Sequence, residues 1–175
     1  MQHLWTPWRI GYVTAQEPMP DDCLFCWLGE PGDGAQDRER LVLYRGKLNL
    51  VVINRYPYNN GHLMVAPYEH VGDLSSSTEE QLAEMIALAR RAEAILRREY
   101  HAHGFNVGMN VGAAAGAGVA HHEHLHIVPR WQGDTNFMGT TAETRVVPET
   151  PESTWDRLRP AFEEVGDSEP GPPEA

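Results

Sequence analysis

The chain has 175 residues, an apolar content of 41% and a formal net charge of −11, which fits one soluble globular domain with a real core. So acidic a chain lacks the basic footprint of a nucleic-acid binder, and no stretch approaches the roughly 18 apolar residues of a membrane span. Two cysteines are too few for a disulfide framework, and "MQHLWTPWRI" lacks the apolar run of a signal peptide, so the cytoplasm is the expected compartment.

Residues 1–20 read as an extended arm anchored by Trp5 and Trp8. "DCLFC" follows, with Cys23 and Cys26 at the spacing of a metal knuckle or a redox pair; two unlinked thiols are the plain alternative. "GEPGDGAQD" (29–37) has the composition of a loop. Two strands are predicted at 41–45 and 48–54, joined by a tight turn at Arg45–Gly46–Lys47. "YPYNNG" is a further turn, and "HLMVAP" a third strand.

The clearest helix is "STEEQLAEMIALARRAEAILRREY", with Leu82, Met85, Ile86, Ala89 and Leu96 near one stripe and Ser77 with Glu80 as a capping box. "GFNVGMNVG" alternates, placing Phe105, Val107, Met109 and Val111 on one face and Asn106, Gly108 and Asn110 on the other. "GAAAGAGVA" (112–120) is a loop of small residues. Beyond the histidine segment lie a strand around Arg145–Val147, a short helix over 153–164 and, from Gly166, a disordered acidic Pro/Gly tail. The sum is an α+β domain: antiparallel strands with one long helix packed on a face.

"HHEHLHIVPRW" holds four of the nine histidines. In a strand, His122, His124 and His126 would share one face while Leu125 and Ile127 point into a core; Glu123 breaks that second pattern. A neutral imidazole can act as a nucleophile, and its neighbours can donate to the oxygens of an anion. The loop before it, with Gly116, Ala117 and Gly118, offers accessible backbone N–H groups to a phosphate. Together with Arg130, these features point to phosphoryl or nucleotidyl chemistry. A metal site and an inert solvated face are the alternatives that the spacing allows.

The segment resembles the signature of the histidine-triad (HIT) superfamily, three histidines alternating with apolar residues and followed by Pro-Arg. "NRYPYNNGHLMVAPYEHV" resembles that family's nucleoside-binding strand-turn-strand. "LWTPWR", "GFNVGMNVG" and "PRWQGDTNFM" resemble the bacterial branch that contains diadenosine tetraphosphate phosphorylases. The similarity runs from about Leu4 to about Phe162 and implies a HIT-like fold over 1–165, with an antiparallel sheet of about five strands, one long helix and a short C-terminal helix.

Carried over residue by residue, the resemblance implies that His124 attacks the α-phosphorus of a nucleotide to form a covalent nucleotidyl-histidine. His126 would hydrogen-bond the phosphate oxygens, His122 would support the triad, and His62 would stand beside it. Asn54 would bind ribose, Asn110 would contact phosphate, and Trp131 would be the aromatic that follows the motif. At Gly118 hydrolase branches carry Gln and some phosphorylases Ser; glycine leaves room for inorganic phosphate as the second nucleophile. Position 123, usually apolar, is Glu. Related proteins hold a structural zinc through CxxC, a histidine after the second core strand and the first triad histidine, here Cys23, Cys26, His70 and His122, with His121 competing for the last place. A two-fold homodimer with the sheet continued across it is the family's common assembly. The implied function is cleavage of dinucleoside polyphosphates; a hydrolase of AMP derivatives, or a nucleotide-binding protein with little turnover, is the alternative.

Overall fold

The computed structural model describes residues 23–134 and 149–164. The arm with Trp5 and Trp8, the strand expected around Arg145–Val147 and the acidic tail lie outside them. Five strands, β1 (Val42–Arg45), β2 (Asn49–Ile53), β3 (Leu63–Pro67), β4 (Gly104–Met109) and β5 (Leu125–Arg130), form one sheet in the order β1-β2-β3-β5-β4. Every pairing is antiparallel. Among the described residues, four α-helices accompany it: α1 (Leu24–Gly29), α2 (Gly34–Arg40), α3 (Glu79–Tyr100) and α4 (Pro151–Glu164). The α+β expectation holds, with the long helix and the C-terminal helix where the periodicity puts them. Among the described residues, no helix is long and apolar enough to cross a membrane.

The central strands β2 and β3 are buried at every position. Helix α3 packs on β2, β3 and β5, and α4 packs on β1, β2 and α3. The buried stripe of α3 runs through Met85, Leu88, Ala89, Ala92, Ile95 and Leu96. Leu82 and Ile86, expected on it, are not: Ile86 is 61% exposed. Leu88, Ala92 and Ile95 take their place on the buried side, and the cap sits one residue later than expected. Thr78, not Ser77, accepts the Gln81 N–H, and Gln81 Oε1 accepts the Thr78 N–H in return. From the second turn of α3, the Glu84 carboxylate grips the β1–β2 turn by accepting the N–H groups of Lys47 and Leu48, both at 2.7 Å.

The reading of 29–37 as a loop is corrected: α2 begins inside it. Asp33 accepts from the N–H groups of Ala35 and Gln36, and Gln36 Oε1 accepts the Asp33 N–H, so this capping box starts a helix amid glycines. Buried Asp37 then receives Arg45 from β1 at 2.7 Å and Arg159 from α4 at 3.7 Å, tying three elements together. Alternation over "GFNVGMNVG" also misleads in part. Strand β4 ends at Met109, and Val107 and Val111 are 52% and 43% exposed, because β4 is an edge strand.

One glycine seats the site. Gly61 has φ +68°, and a Cβ there would come within 2.9 Å of Leu96 Cδ2. The chain can therefore press against α3 just before His62.

Thr78→Ala should lower the unfolding free energy by about 1 kcal/mol, whereas Ser77→Ala should leave helix capping intact. Urea denaturation of the Thr78 variant checks this, and an unchanged midpoint would place the cap elsewhere.

Candidate active site

Strand β5 begins at Leu125, so of the three alternating histidines only His126 lies in the ladder, opposite Met64 of β3 and Gly108 of β4. The segment before it leaves the sheet and runs beside residues 67–72, where the Glu123 N–H donates to the Val71 carbonyl. The imidazoles still form one row. His62 stacks near His126 with centroids 5.1 Å apart, His126 meets His124 at 4.8 Å, and Phe25 bridges His124 and His122 at 4.7 and 5.2 Å. The row is not a solvated face: His62, His122 and His124 are all buried.

Buried imidazoles need partners for both nitrogens, and those partners assign each proton. His62 Nδ1 accepts the Tyr58 backbone N–H at 3.1 Å, with the Asn54 amide 3.3 Å away. Its proton is therefore on Nε2, which donates to His126 Nδ1 at 2.9 Å. His126 in turn carries its proton on Nε2. His124 Nδ1 donates to the His122 carbonyl at 2.9 Å, which leaves the lone pair on Nε2. Burial, reinforced by the neighbouring imidazoles, pushes His62 down to about 3 and His126 down to about 4. His124 is also lowered by burial, against the opposing effect of its bond to the His122 carbonyl. The row is thus neutral near pH 7, with one nucleophilic nitrogen and one N–H donor side by side.

His122 turns the other way. Its Nε2 donates to the Pro67 carbonyl at 2.9 Å, so Nδ1 bears the lone pair. That nitrogen lies 3.3 Å from Cys23 Sγ and 3.7 Å from Cys26 Sγ, and His70 Nδ1 lies 3.2 Å from Cys26 Sγ. The four donor atoms all fall within 4.8 Å of one another. A tetrahedral zinc ion with bonds of about 2.0–2.1 Å to nitrogen and 2.3 Å to sulfur separates N from S by about 3.6 Å, so the donor set fits. A CxxC turn opening α1, a residue just past β3 and one just before β5 supply the four donors. His121 is exposed and stands outside the group. Support of the triad by His122 comes through its carbonyl, not its ring.

Asn54 lies at the end of the row, its Oδ1 accepting the Tyr56 N–H. The Arg130 guanidinium is held by Asp134 at 2.6 and 2.8 Å and by Asn106 at 2.8 Å. The Trp131 indole N–H donates to the Tyr100 carbonyl at the end of α3. In the loop 112–120, the N–H groups of Ala115, Gly116 and Ala117 bond within the loop to Gly112 and Ala113 carbonyls, so they are not the open cradle expected. A Cβ at Gly118 would meet nothing within 4 Å, consistent with the room expected there. Asn110 is half-buried just beyond β4.

Three contacts escaped the reading of motifs. Phe25 lies inside the CxxC and touches both His122 and His124. Tyr58, four residues before His62, covers His62 and His126 with centroids at 4.7 and 5.9 Å. Gly108 pairs with His126 and places no side chain beside it. The nearness of Tyr58 to His62 in the chain was an available signal; Phe25 lies far in sequence from the histidines it touches and Gly108 is not aromatic, so neither carried that signal.

A HIT domain family model matches residues 36–133. The chain is 40% identical over 161 residues to the AP-4-A phosphorylase of Mycobacterium tuberculosis, covering 85% of this chain and 78% of that protein. It is 32% identical over 93 residues to the asymmetrical bis(5'-nucleosyl)-tetraphosphatase of Schizosaccharomyces pombe, covering 53% and 50%. The crystal structure of a Zn-bound histidine triad family protein from Mycobacterium smegmatis aligns with a TM-score of 0.66 at 30% identity, covering 85% of this chain and 98% of that one.

Imidazoles that are neutral when folded and charge on unfolding link stability to pH. With His62 at about 3 in the fold against about 6.5 unfolded, the unfolded state binds more protons below pH 6.5, so stability falls as pH drops from there toward 3. Between pH 7.5 and 5, His62 should cost about 2 kcal/mol of unfolding free energy. In His62→Gln the slope of stability against pH should be shallower over that window; equal slopes would contradict a buried neutral His62.

Proposed function

The chain belongs to the HIT domain family, and on that ground we propose that it cleaves dinucleoside polyphosphates of the diadenosine tetraphosphate type by nucleotidyl transfer through His124, with inorganic phosphate as acceptor. The observation that carries the reading is the proton arrangement of the row. A backbone carbonyl holds the His124 Nδ1 proton and leaves Nε2 as the nucleophile, and His126 next to it presents an Nε2–H directed by the chain from Tyr58 through His62.

In the proposed reaction His124 Nε2 attacks the α-phosphorus. An N–P bond forms, the bond to the bridging oxygen breaks, and ATP leaves. The His126 N–H donates to a phosphoryl oxygen as charge builds there. The ring becomes cationic in the intermediate, and its Nδ1–H bond to the His122 carbonyl stabilises it. A phosphate oxygen then attacks the same phosphorus, the N–P bond breaks, and ADP leaves a neutral His124. Asn54 and Asn110 are assigned to ribose and phosphate, and Trp131 to the wall of the site. The space at Gly118 admits the phosphate. The phosphorylase relative supports this acceptor; water in its place would give AMP and ATP.

Zinc is assigned to Cys23, Cys26, His70 and His122. With four protein ligands it would be structural, fastening α1 and its Phe25 to the histidine row. The exposed edge of β4, with Val107 and Val111 outward, is where we place the two-fold dimer contact.

His124→Ala should abolish turnover of diadenosine tetraphosphate and eliminate any nucleotidyl adduct detectable by mass spectrometry. Wild type should release ADP in proportion to added phosphate, and Gly118→Gln should suppress ADP more than AMP. Products that ignore phosphate would leave a hydrolase of the same family.

Protein purified without added metal should contain about one zinc per chain. A Cys23→Ser, Cys26→Ser double variant should lose it and melt at lower temperature; undiminished zinc would rule the site out.

A further inference from the structure

Glu123 is a charged member of the histidine segment whose side chain has no part in the reaction above. It is 3% exposed. Its Oε1 accepts the Ser77 hydroxyl at 2.5 Å, while Oε2 is buried without a partner among the described residues. A buried carboxylate with one oxygen unsatisfied costs stability that an apolar side chain in the same place would not. The alternation of the segment itself calls for an apolar residue there.

The peptide unit that joins His122 to Glu123 is bonded at both ends. Its N–H donates to the Val71 carbonyl at 2.7 Å, and its C=O accepts His124 Nδ1–H at 2.9 Å. Each bond polarises the amide in the sense that strengthens the other. The orientation of this one amide plane therefore sets both the tautomer of His124 and the direction of its ring. Glu123 is attached to that plane, and its carboxylate is moored to Ser77, the residue before the Thr78 cap of α3. Without the mooring, the peptide keeps the Val71 bond and, on the His122 side, the ring's bond to Pro67, but loses its anchor on the Glu123 side.

We propose that Glu123, anchored by Ser77, is a positioning residue that holds the His122–Glu123 peptide so that His124 keeps its proton on Nδ1 and presents Nε2. The kinetic consequence rests on His124 being the nucleophile; the tautomer consequence does not.

The test uses Glu123→Leu, Ser77→Ala and Glu123→Gln in the metal-containing protein as purified. In Glu123→Leu and Ser77→Ala, kcat for diadenosine tetraphosphate with phosphate should fall about tenfold or more while KM changes by less than about twofold. Long-range proton–nitrogen spectra of the imidazoles should show His124 moving from a single Nδ1–H tautomer to a mixture. Glu123→Leu should unfold no more readily than wild type, so that stability and turnover part company. Glu123→Gln, which keeps an oxygen for Ser77, should recover most of kcat. Should Glu123→Leu fail to fold, Ser77→Ala carries the same two readouts. Wild-type kcat with an unchanged tautomer in Ser77→Ala, or a fall in kcat with no change in tautomer, overturns the proposal. A tautomer shift in the variants of a protein whose wild type does not cleave the substrate upholds the positioning role and overturns the proposed reaction instead.

Discussion

Imidazoles can be buried side by side only if each is neutral and each has somewhere to put its one proton. The structure around the site answers to that constraint. Four histidines, His62, His122, His124 and His126, stand in one neighbourhood, and charging any one raises the cost of charging the next. The protein assigns the protons with backbone groups, which cannot ionise. The Pro67 carbonyl takes one from His122, the His122 carbonyl takes one from His124, and the Tyr58 N–H denies one to His62 Nδ1. Each of these groups lies beside the end of a strand or in a turn, where the ladder leaves a backbone group over.

Two groups of side chains therefore share one short segment. The His122 ring belongs to the cluster with Cys23, Cys26 and His70, while its carbonyl belongs to His124. Phe25 touches both rings. A metal in the cluster would draw on the His122 lone pair and polarise its Nε2–H toward Pro67, a bond that already fixes the ring's direction. The fold supplies the same economy elsewhere: Gly61 lets the turn before His62 lie on α3, so the helix that covers the sheet also sets the depth of the row.

The chain's acidity bears on the same site. A net charge of −11 repels anionic nucleotides at long range, and the arginine nearest the motif is committed to Asp134 and Asn106. A phosphate that approaches the row meets neutral donors of defined direction rather than a field of cations. Such donors are worth most where water is excluded, which is the environment that burial of the imidazoles already provides.

The sequence by itself determined the fold class, the long helix, the central strands and the family, because alternation, helical periodicity and the spacing of the histidines are local patterns. It also showed the CxxC pair, while His70 and one of two adjacent histidines became metal candidates only through the resemblance to the family. Tertiary structure decided the rest. Helix α2 depended on a capping box hidden among glycines, and the exposure of Val107 depended on β4 lying at an edge. Which side of each imidazole holds the proton, which of His121 and His122 turns toward the cysteines, and that Arg130 is already paired all depend on groups far away in the chain: Tyr58, Pro67, Cys23 and Asn106. Spacing fixes which residue types can meet; only the packed backbone fixes which of their atoms face each other.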